Sequence, residues 1–211
     1  MFECLEKTGI IPVVSISNVK DAVPLAKALC EGGLSCVEVT FRTEAAGDAI
    51  SVISKNVPEM YVIAGTVLTA KQADEAIEAG ASMIVAPGLN PKIAKYCKEN
   101  SYPYIPGICT PSEIEQTMEL GYKMLKFFPA EVSGGVRMLE AMHAPYKDVR
   151  FMPTGGISIN NAEEYLKKDY IFCVGGSWIA KPEMIAEGKF EEIKQLAREA
   201  AELVRSVRNS R

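Results

Sequence analysis

Residues 36–65, CVEVTFRTEAAGDAISVISKNVPEMYVIAG, decide the fold of this chain. An apolar run rich in β-branched residues occupies positions 36–41, and a second apolar run occupies positions 61–65. Between them, residues 44–56 carry apolar side chains at helical spacing. Short apolar runs indicate strands, and the longer periodic segment indicates an amphipathic helix. The stretch therefore predicts a strand–helix–strand unit, the repeating element of parallel α/β folds.

The same alternation extends along the chain in both directions from this unit. The expected strands lie at residues 10–16, 36–41, 61–65, 83–86, 102–105, 124–128, 150–153 and 171–174. The expected helices lie at residues 19–31, 44–56, 70–79, 91–99, 111–120, 135–143, 160–168 and 191–208. Residues with the side chains preferred at helix N-caps precede several of these helices: Asn18, Thr69, Asn90, Thr110 and Ser158.

Eight strand–helix units in 211 residues predict an α/β protein with one (β/α)8 TIM-barrel domain spanning residues 1–211. The alternative is an open, doubly wound sheet, which uses the same alternation of strands and helices. No G-x-G-x-x-G motif follows the first expected strand, and this disfavours the open sheet as a dinucleotide-binding fold.

Composition and charge exclude several classes of protein. Hydrophobic residues make up 48% of the chain and charged residues 24%, which is typical of a globular domain. The net charge of −4 disfavours a nucleic-acid-binding surface. The amino-terminal segment MFECLEKTGI lacks the features of a signal peptide, and no window approaches the roughly 18 apolar residues of a membrane span. We expect a cytoplasmic protein that binds neither nucleic acid nor a membrane, with its six scattered cysteines reduced.

Polar residues in the second expected strand are the first candidates for chemistry. Because side chains alternate along a strand, Glu38, Thr40 and Arg42 share one face, which we expect to point into the mouth of the barrel. Active sites of these barrels lie at the carboxyl ends of the strands. A carboxylate and a guanidinium are costly to bury, which favours a functional role. The alternative is an internal ion pair between Glu38 and Arg42 that serves only the structure.

A lysine lies within the sixth expected strand, which reads MLKFFP at residues 124–129. Burial disfavours the charged ammonium form of Lys126, and a neutral amine can attack a ketone to form an imine. The sequence therefore makes Lys126 a candidate nucleophile. The alternative is a lysine that reaches solvent, or that pairs with Glu38 for structure alone.

Glycine pairs follow the last two expected strands, in the segments Thr154-Gly155-Gly156 and Gly175-Gly176-Ser177. In (β/α)8 barrels the loops after strands seven and eight often bind phosphate, and glycines expose backbone N–H groups to an anion. We expect a phosphate site in which any Cβ on these glycines would block the approach of the anion. The alternative is that both pairs are ordinary turns.

The sequence lacks the histidine and Cys/His motifs that bind transition metals. His143 is the only histidine, and a structural or surface role is expected for it. No H-x-H, H-E-x-x-H or clustered Cys/His motif is present, so we expect no transition metal and no cofactor. A carboxylate-bound Mg²⁺ stays open at this point.

Eight short segments in chain order resemble the bacterial 2-keto-3-deoxy-6-phosphogluconate (KDPG) aldolases, many of which also act on 4-hydroxy-2-oxoglutarate (KHG). The segments are GIIPVV, EVTFRTEAA, AGTV, APG, PGICTPSE, LKFFPAE, PTGGIS and VGGSW. The resemblance implies a TIM-barrel class I aldolase, usually a homotrimer, that cleaves a small keto acid. Phe41 and Cys109 depart from the residues common in the family, Leu and Ser. Neither departure touches the implied chemistry, although Cys109 lies near the expected mouth.

The resemblance also assigns roles by position. It implies that Lys126 forms the Schiff base and that Glu38 is the general acid and base. The residues implied to hold the carboxylate of the substrate are Arg42, Thr66 and Pro87. The residues implied to hold the phosphate are Thr154, Gly155, Gly156, Gly176 and Ser177.

Three other functions stay open from the sequence. One is a related 2-keto-3-deoxy-6-phosphogalactonate aldolase. The second is a metal-assisted phosphosugar isomerase, epimerase or decarboxylase on the same barrel, and the third is a barrel that binds a sugar phosphate without turnover. The sequence does not decide between glyceraldehyde 3-phosphate and glyoxylate as the preferred aldehyde.

Overall fold

The computed structural model describes residues 2–209 of the chain. Within this range the strands are β1 Ile10–Val14, β2 Cys36–Thr40, β3 Tyr61–Gly65, β4 Met83–Val85, β5 Tyr104–Ile105, β6 Gly107–Ile108, β7 Met124–Phe127, β8 Arg150–Pro153 and β9 Val174–Gly176. The α-helices are α1 Phe2–Thr8, α2 Ala22–Glu31, α3 Ala46–Asn56, α4 Ala70–Glu78, α5 Pro91–Glu99, α6 Pro111–Glu119, α7 Gly135–His143, α8 Ala162–Leu166, α9 Pro182–Ala186 and α10 Phe190–Asn209. Short 3-10 helices lie at Val19–Asp21 and Glu131–Ser133.

The strands form two parallel sheets. One sheet has the order β5-β4-β3-β2-β1-β9, and the other has the order β6-β7-β8. Only Pro106 separates β5 from β6 in the chain, and its carbonyl accepts a hydrogen bond from the Lys126 N–H at 2.9 Å. Parallel bridges from Phe151 to Ile171 and from Thr154 to Gly175 connect β8 to the chain leading into and through β9. The architecture is an α/β fold with a curled parallel sheet, similar to a TIM barrel.

The structure corrects the expected strands at two places. The fifth expected strand, residues 102–105, is present as β5 at Tyr104–Ile105, and the extended chain resumes after Pro106 as β6. The strand is interrupted at Pro106 because a proline has no N–H and cannot donate a ladder hydrogen bond. The last expected strand, residues 171–174, lies instead at Val174–Gly176. There Gly175 and Gly176 pair with Ile11 and Pro12 of β1, so the second glycine pair lies within a strand and not in a turn.

Helix starts agree with the sequence where a side chain caps the helix. The side chains of Asn18, Thr69, Asn90 and Thr110 accept hydrogen bonds from backbone N–H groups two or three residues later. The expectation for Ser158 is wrong: α8 begins at Ala162, and the Ser158 N–H donates to the Asn161 side chain. Helices α1 and α9 were not expected, because helices this short depend on packing more than on their own sequence.

The core has two layers, one inside the curled sheet and one between the sheet and the helices. The inner cluster alternates along the strands with the outer one and includes Leu5, Ile11, Cys36, Ile63, Met83, Val85, Ile105, Met152, Phe172 and Cys173. Leu5 belongs to α1, and Cys4 of the same helix lies with its Sγ 3.2 Å from the Cys36 Sγ at the start of β2. Helix α1 therefore packs against the amino-terminal end of the sheet. Within residues 2–209, none of the helices has the length and apolar character required to span a membrane.

Candidate active site

A buried ion pair lies inside the curled sheet. Lys126 in β7 is 3% exposed and Glu38 in β2 is fully buried. The Lys126 Nζ donates to Glu38 Oε1 at 2.9 Å and to Oε2 at 3.2 Å. A buried ion pair contributes little net stability compared with apolar residues of the same volume, because both charges lose their hydration. The position of this pair therefore favours a chemical role over a structural one.

A glycine in the neighbouring strand makes room for the Glu38 carboxylate. Gly65, the last residue of β3, is paired in register with Thr40 of β2. A Cβ at position 65 would lie 2.2 Å from Glu38 Oε1 and 2.6 Å from its Cγ, which is far inside van der Waals contact. Residue 65 therefore has to be glycine for the carboxylate to reach Lys126.

The three polar residues of the second strand have different surroundings. Glu38 pairs with Lys126 and not with Arg42, so the internal Glu38–Arg42 ion pair is absent from the structure. The Thr40 hydroxyl donates to the Val14 carbonyl at 2.9 Å and so joins β2 to β1. Arg42 follows the end of β2, and its side chain is exposed. Among residues 2–209, no carboxylate lies within ion-pair distance of the Arg42 guanidinium, which is therefore available to an anionic ligand.

A pocket of about 220 Å³ brings Arg42 together with both glycine pairs. Its lining consists of Val13, Arg42, Phe128, Thr154, Gly155, Gly156, Ile157, Gly175, Gly176 and Ser177. The Phe128 ring connects the pocket to the ion pair, because its centroid lies 5.8 Å from Lys126 Nζ. Sequence reasoning did not single out Phe128. The available signal was its position two residues after Lys126 in the same expected strand.

The buried Thr154 hydroxyl lies at this pocket without a partner. Its Oγ1 atom makes no hydrogen bond within the part of the chain that the structure describes. The Thr154 backbone is occupied, since its N–H donates to the Phe127 carbonyl and its carbonyl accepts from the Ala130 N–H. Buried polar atoms are normally satisfied, so a hydroxyl left open at a pocket wall favours a ligand that accepts or donates there.

The packing of the protein itself favours glycine at positions 156 and 176. A Cβ at Gly156 would lie 2.6 Å from the Glu131 Cβ, and a Cβ at Gly176 would lie 1.7 Å from the Trp178 ring. Each added Cβ would therefore clash with the protein itself, and the expectation that it would also block the approach of an anion stays a prediction. Gly155 and Gly156 also have positive φ angles of 102° and 78°, which favour glycine.

Thr66 and Pro87 follow neighbouring strands of the curled sheet but do not line this pocket. Thr66 directly follows β3 and has a φ of 58°, an unusual value for a β-branched residue. Pro87 lies just after β4, and its backbone is close to Gly107. A Cβ added at Gly107 would lie 2.3 Å from the carbonyl carbon of Pro87. Gly107 is the register partner of Lys126, so this contact sets how closely the loop after β4 approaches the lysine strand.

The remaining candidates have structural surroundings. The His143 ring stacks on Tyr170 with centroids 4.2 Å apart, and it is not among the residues that line the pocket. The Cys109 Sγ lies 3.2 Å from the Ser133 Oγ. Within residues 2–209, no group of three or more His, Cys, Asp or Glu side chains is arranged to hold a metal ion.

Comparison with known proteins gives one consistent result. The profile of the family described as "Aldolase: KDPG and KHG aldolase" matches residues 1–196. The chain is 47% identical over 201 residues to the KHG/KDPG aldolase of Escherichia coli K12, which covers 95% of this chain and 94% of that protein.

Two solved structures are similar over almost their full length. One is the KDPG aldolase of Zymomonas mobilis ZM4 with 3-phosphoglycerate, with a TM-score of 0.86, 40% identity, and coverage of 95% of this chain and 94% of that one. The other is the KDPG aldolase of Legionella pneumophila with pyruvate captured as a covalent carbinolamine, with a TM-score of 0.90, 37% identity, and coverage of 93% and 96%. The match to the family profile over residues 1–196, together with identity of 47% to a curated member, shows that this chain belongs to the KDPG and KHG aldolase family.

Proposed function

We propose that the protein is a class I aldolase that cleaves KDPG to pyruvate and glyceraldehyde 3-phosphate, with Lys126 as the Schiff-base residue. The observation that carries the proposal is the buried Lys126–Glu38 pair beside a pocket that contains Arg42 and both glycine pairs. Family membership supports it, as does the carbinolamine captured in the Legionella pneumophila enzyme. The name of the Escherichia coli relative supports KHG, cleaved to pyruvate and glyoxylate, as a second substrate.

The first half of the reaction forms the imine. Lys126 Nζ can transfer a proton to Glu38 Oε1, which lies 2.9 Å away, and this transfer leaves a neutral amine. That amine attacks the C2 ketone and forms a carbinolamine. Glu38 then returns a proton to the C2 hydroxyl, which leaves as water and gives the iminium.

The second half breaks the C3–C4 bond. Glu38 takes the proton of the C4 hydroxyl, the C4–O bond becomes the carbonyl of the departing aldehyde, and the C3–C4 electron pair flows into the iminium. The resulting enamine is protonated at C3 and hydrolysed, which releases pyruvate and regenerates Lys126. The positive iminium nitrogen is the electron sink for this step.

The two ends of the substrate are assigned to different residues. Arg42, Thr66 and Pro87 bind the C1 carboxylate, and the planar guanidinium of Arg42 matches a carboxylate in two hydrogen bonds. The phosphate binds the hydroxyl of Thr154 and the backbone N–H groups of Gly155 and Gly156, together with Gly176 and Ser177. The open Thr154 hydroxyl and the positive φ angles of the first glycine pair support this assignment.

The wider organisation is also part of the proposal. The chain is one (β/α)8 barrel domain assigned to residues 1–211, of which residues 1, 210 and 211 lie outside the described range. The Pro106 hydrogen bond and the bridges from β8 support closure of the two sheets into one barrel. The enzyme is a cytoplasmic homotrimer that uses neither a metal nor an organic cofactor and binds no nucleic acid or membrane. Light scattering of the purified chain measures the trimer directly.

The phosphate pocket predicts a strong preference for the phosphorylated substrate. Charge-assisted hydrogen bonds to an anion contribute roughly 1.5–3 kcal/mol each, so kcat/KM for KDPG should exceed that for its unphosphorylated analogue by about 10²-fold or more. Ser177→Ala adds no steric clash and removes one hydrogen-bond donor. It should therefore lower the ratio of kcat/KM for KDPG to kcat/KM for the unphosphorylated analogue by roughly tenfold. KHG, which has no phosphate, should be cleaved by Ser177→Ala as by the wild type. Equal kcat/KM for KDPG and its unphosphorylated analogue in the wild type would contradict the proposed phosphate site.

A second prediction concerns Gly65. Gly65→Ala should push the Glu38 carboxylate away from Lys126 and lower kcat by about 10²-fold or more, since general acid–base help is lost. Overpacking should also lower the free energy of unfolding by about 1–3 kcal/mol. The steric control is Gly88→Ala, whose new Cβ has no heavy atom within 4 Å and should leave the unfolding temperature unchanged. Wild-type kcat in Gly65→Ala would show that the carboxylate has room to move without cost.

A further inference from the structure

The chain after β7 is docked onto the first glycine pair by its backbone. The Ala130 N–H donates to the Thr154 carbonyl at 2.8 Å, and the Glu131 N–H donates to the Gly155 carbonyl at 3.0 Å. These two hydrogen bonds place the 3-10 helix Glu131–Ser133 directly against the turn that we assign to the phosphate.

The Glu131 side chain then passes along the turn. A Cβ at Gly156 would lie 2.6 Å from the Glu131 Cβ and 2.7 Å from its Cγ, so the stem of this side chain packs against the Gly156 backbone. On the other side, the Asn161 Nδ2 donates to the Gly156 carbonyl at 3.1 Å. The turn is thus fixed between Glu131 and Asn161.

A buried tyrosine fixes the far end of Glu131. Tyr165 in α8 is 1% exposed, and its hydroxyl donates to Glu131 Oε1. Burial, followed by the hydrogen bond to the carboxylate, raises the pKa of Tyr165 well above its ordinary value, so the phenol stays a donor at neutral pH. Gly135 supplies the space, because a Cβ there would lie 3.1 Å from both bonded oxygens.

We propose that Tyr165 is a positioning residue for the phosphate end of the substrate, acting through Glu131 on the Gly155–Gly156 turn. The inference rests on the proposed function, because it takes this turn as the phosphate site. The hydroxyl of Tyr165 orients the Glu131 carboxylate, the stem of Glu131 supports Gly156, and the backbone N–H groups of the turn are thereby held in place for the anion. Neither side chain needs to contact the substrate.

The test is a comparison of two substrates in the full-length enzyme. Tyr165→Phe deletes only the hydroxyl and should raise KM for KDPG by roughly fivefold or more, since hydrogen bonds to the anion become misaligned. Its kcat for KDPG, and both kcat and KM for KHG, should stay within about twofold of the wild type, because KHG has no phosphate and Lys126 is undisturbed. The inhibition constant of inorganic phosphate should rise in parallel with KM for KDPG.

Two further variants separate positioning from general damage. Glu131→Gln retains an oxygen that accepts from Tyr165 and should keep KM for KDPG close to the wild-type value. Glu131→Ala removes the side-chain stem that packs against Gly156 and should raise KM for KDPG as Tyr165→Phe does. KM is measured on the folded fraction, so poor folding of Glu131→Ala does not affect the comparison. The matched control is Tyr146→Phe, which loses a similar hydrogen bond to Glu115 Oε1 (2.8 Å) on the outside of the molecule. It should leave both substrates unchanged.

The outcomes distinguish this inference from the proposed function. Equal losses on KDPG and KHG in Tyr165→Phe, or no loss on either, overturn the positioning role while leaving the aldolase proposal intact. A rise in KM for KDPG in Glu131→Gln as large as in Glu131→Ala also overturns it. Failure of the wild type to cleave KDPG, or equal use of KDPG and its unphosphorylated analogue, overturns the proposed phosphate site first.

Discussion

Lys126→Ala should lose nearly all turnover, a decrease on the order of 10⁴-fold or more, as is usual when the nucleophile of a covalent mechanism is removed. The reason is that no imine can form, so the C3–C4 bond has no electron sink. Lys126 is the nucleophile that the geometry selects, since it is 3% exposed and hydrogen-bonded to a carboxylate that can accept its proton. The neighbouring residues of β7 are apolar and would not replace it.

Borohydride trapping measures the covalent step separately from turnover. Incubation of the wild type with pyruvate and borohydride should add one reduced three-carbon adduct, which peptide mass spectrometry should locate at Lys126. Lys126→Ala should show no adduct. The matched control is Lys123→Ala, three residues earlier, where the lysine is exposed and paired with Asp148 at 3.1 Å. It should keep both the adduct and kcat.

An adduct at another lysine would move the nucleophile, and a wild type that turns over without any adduct would contradict the class I mechanism. The fold of Lys126→Ala is checked by its unfolding temperature, because Glu38 becomes a buried carboxylate without its partner. The double variant Lys126→Ala/Glu38→Gln removes that unpaired charge. It should recover the lost stability while remaining inactive.

Glu38→Gln should have the second largest effect, a fall in kcat of about 10²–10⁴-fold, the usual range for loss of a general acid–base residue. The amide has nearly the same shape as the carboxylate and still fits beside Gly65 and within reach of Lys126. It cannot take or return a proton, so carbinolamine dehydration and C3–C4 cleavage both slow. The protein should remain folded, since the amide still offers Lys126 an oxygen acceptor, but its free energy of unfolding should fall because the buried ammonium loses its partner charge.

The measurement combines steady-state kcat with the rate of borohydride trapping. Slow but complete adduct formation at Lys126, together with low kcat, identifies Glu38 as the proton carrier. The control is Glu99→Gln, which breaks an exposed pair with Lys95 (3.8 Å) and should not change kcat, because exposed ion pairs contribute little. A kcat near the wild-type value in Glu38→Gln would assign the proton transfers to another group, such as a bound water.

The alternation of strands and helices was predictable because its causes are local. Apolar periodicity identified β2, α3 and β3 in their correct order, and the side chains of Thr69 and Thr110 marked helix starts by bonding to N–H groups within three residues. Predictions failed where a distant partner decided the structure. Gly175 and Gly176 belong to β9 because β1, some 160 residues earlier in the sequence, supplies their hydrogen-bond partners.

The sequence by itself determined which chemical groups are present: a lysine and a glutamate within apolar strands, an arginine at a strand end, and two glycine pairs. Only the tertiary structure decided how they meet, because contacts between residues far apart in the chain depend on packing and have no local signal. Lys126 and Glu38 are 88 residues apart and become hydrogen-bonded only when the sheet curls. The same packing explains why residue 65 is glycine, because a Cβ there would clash with Glu38. It also favours glycine at position 156, where a Cβ would clash with Glu131.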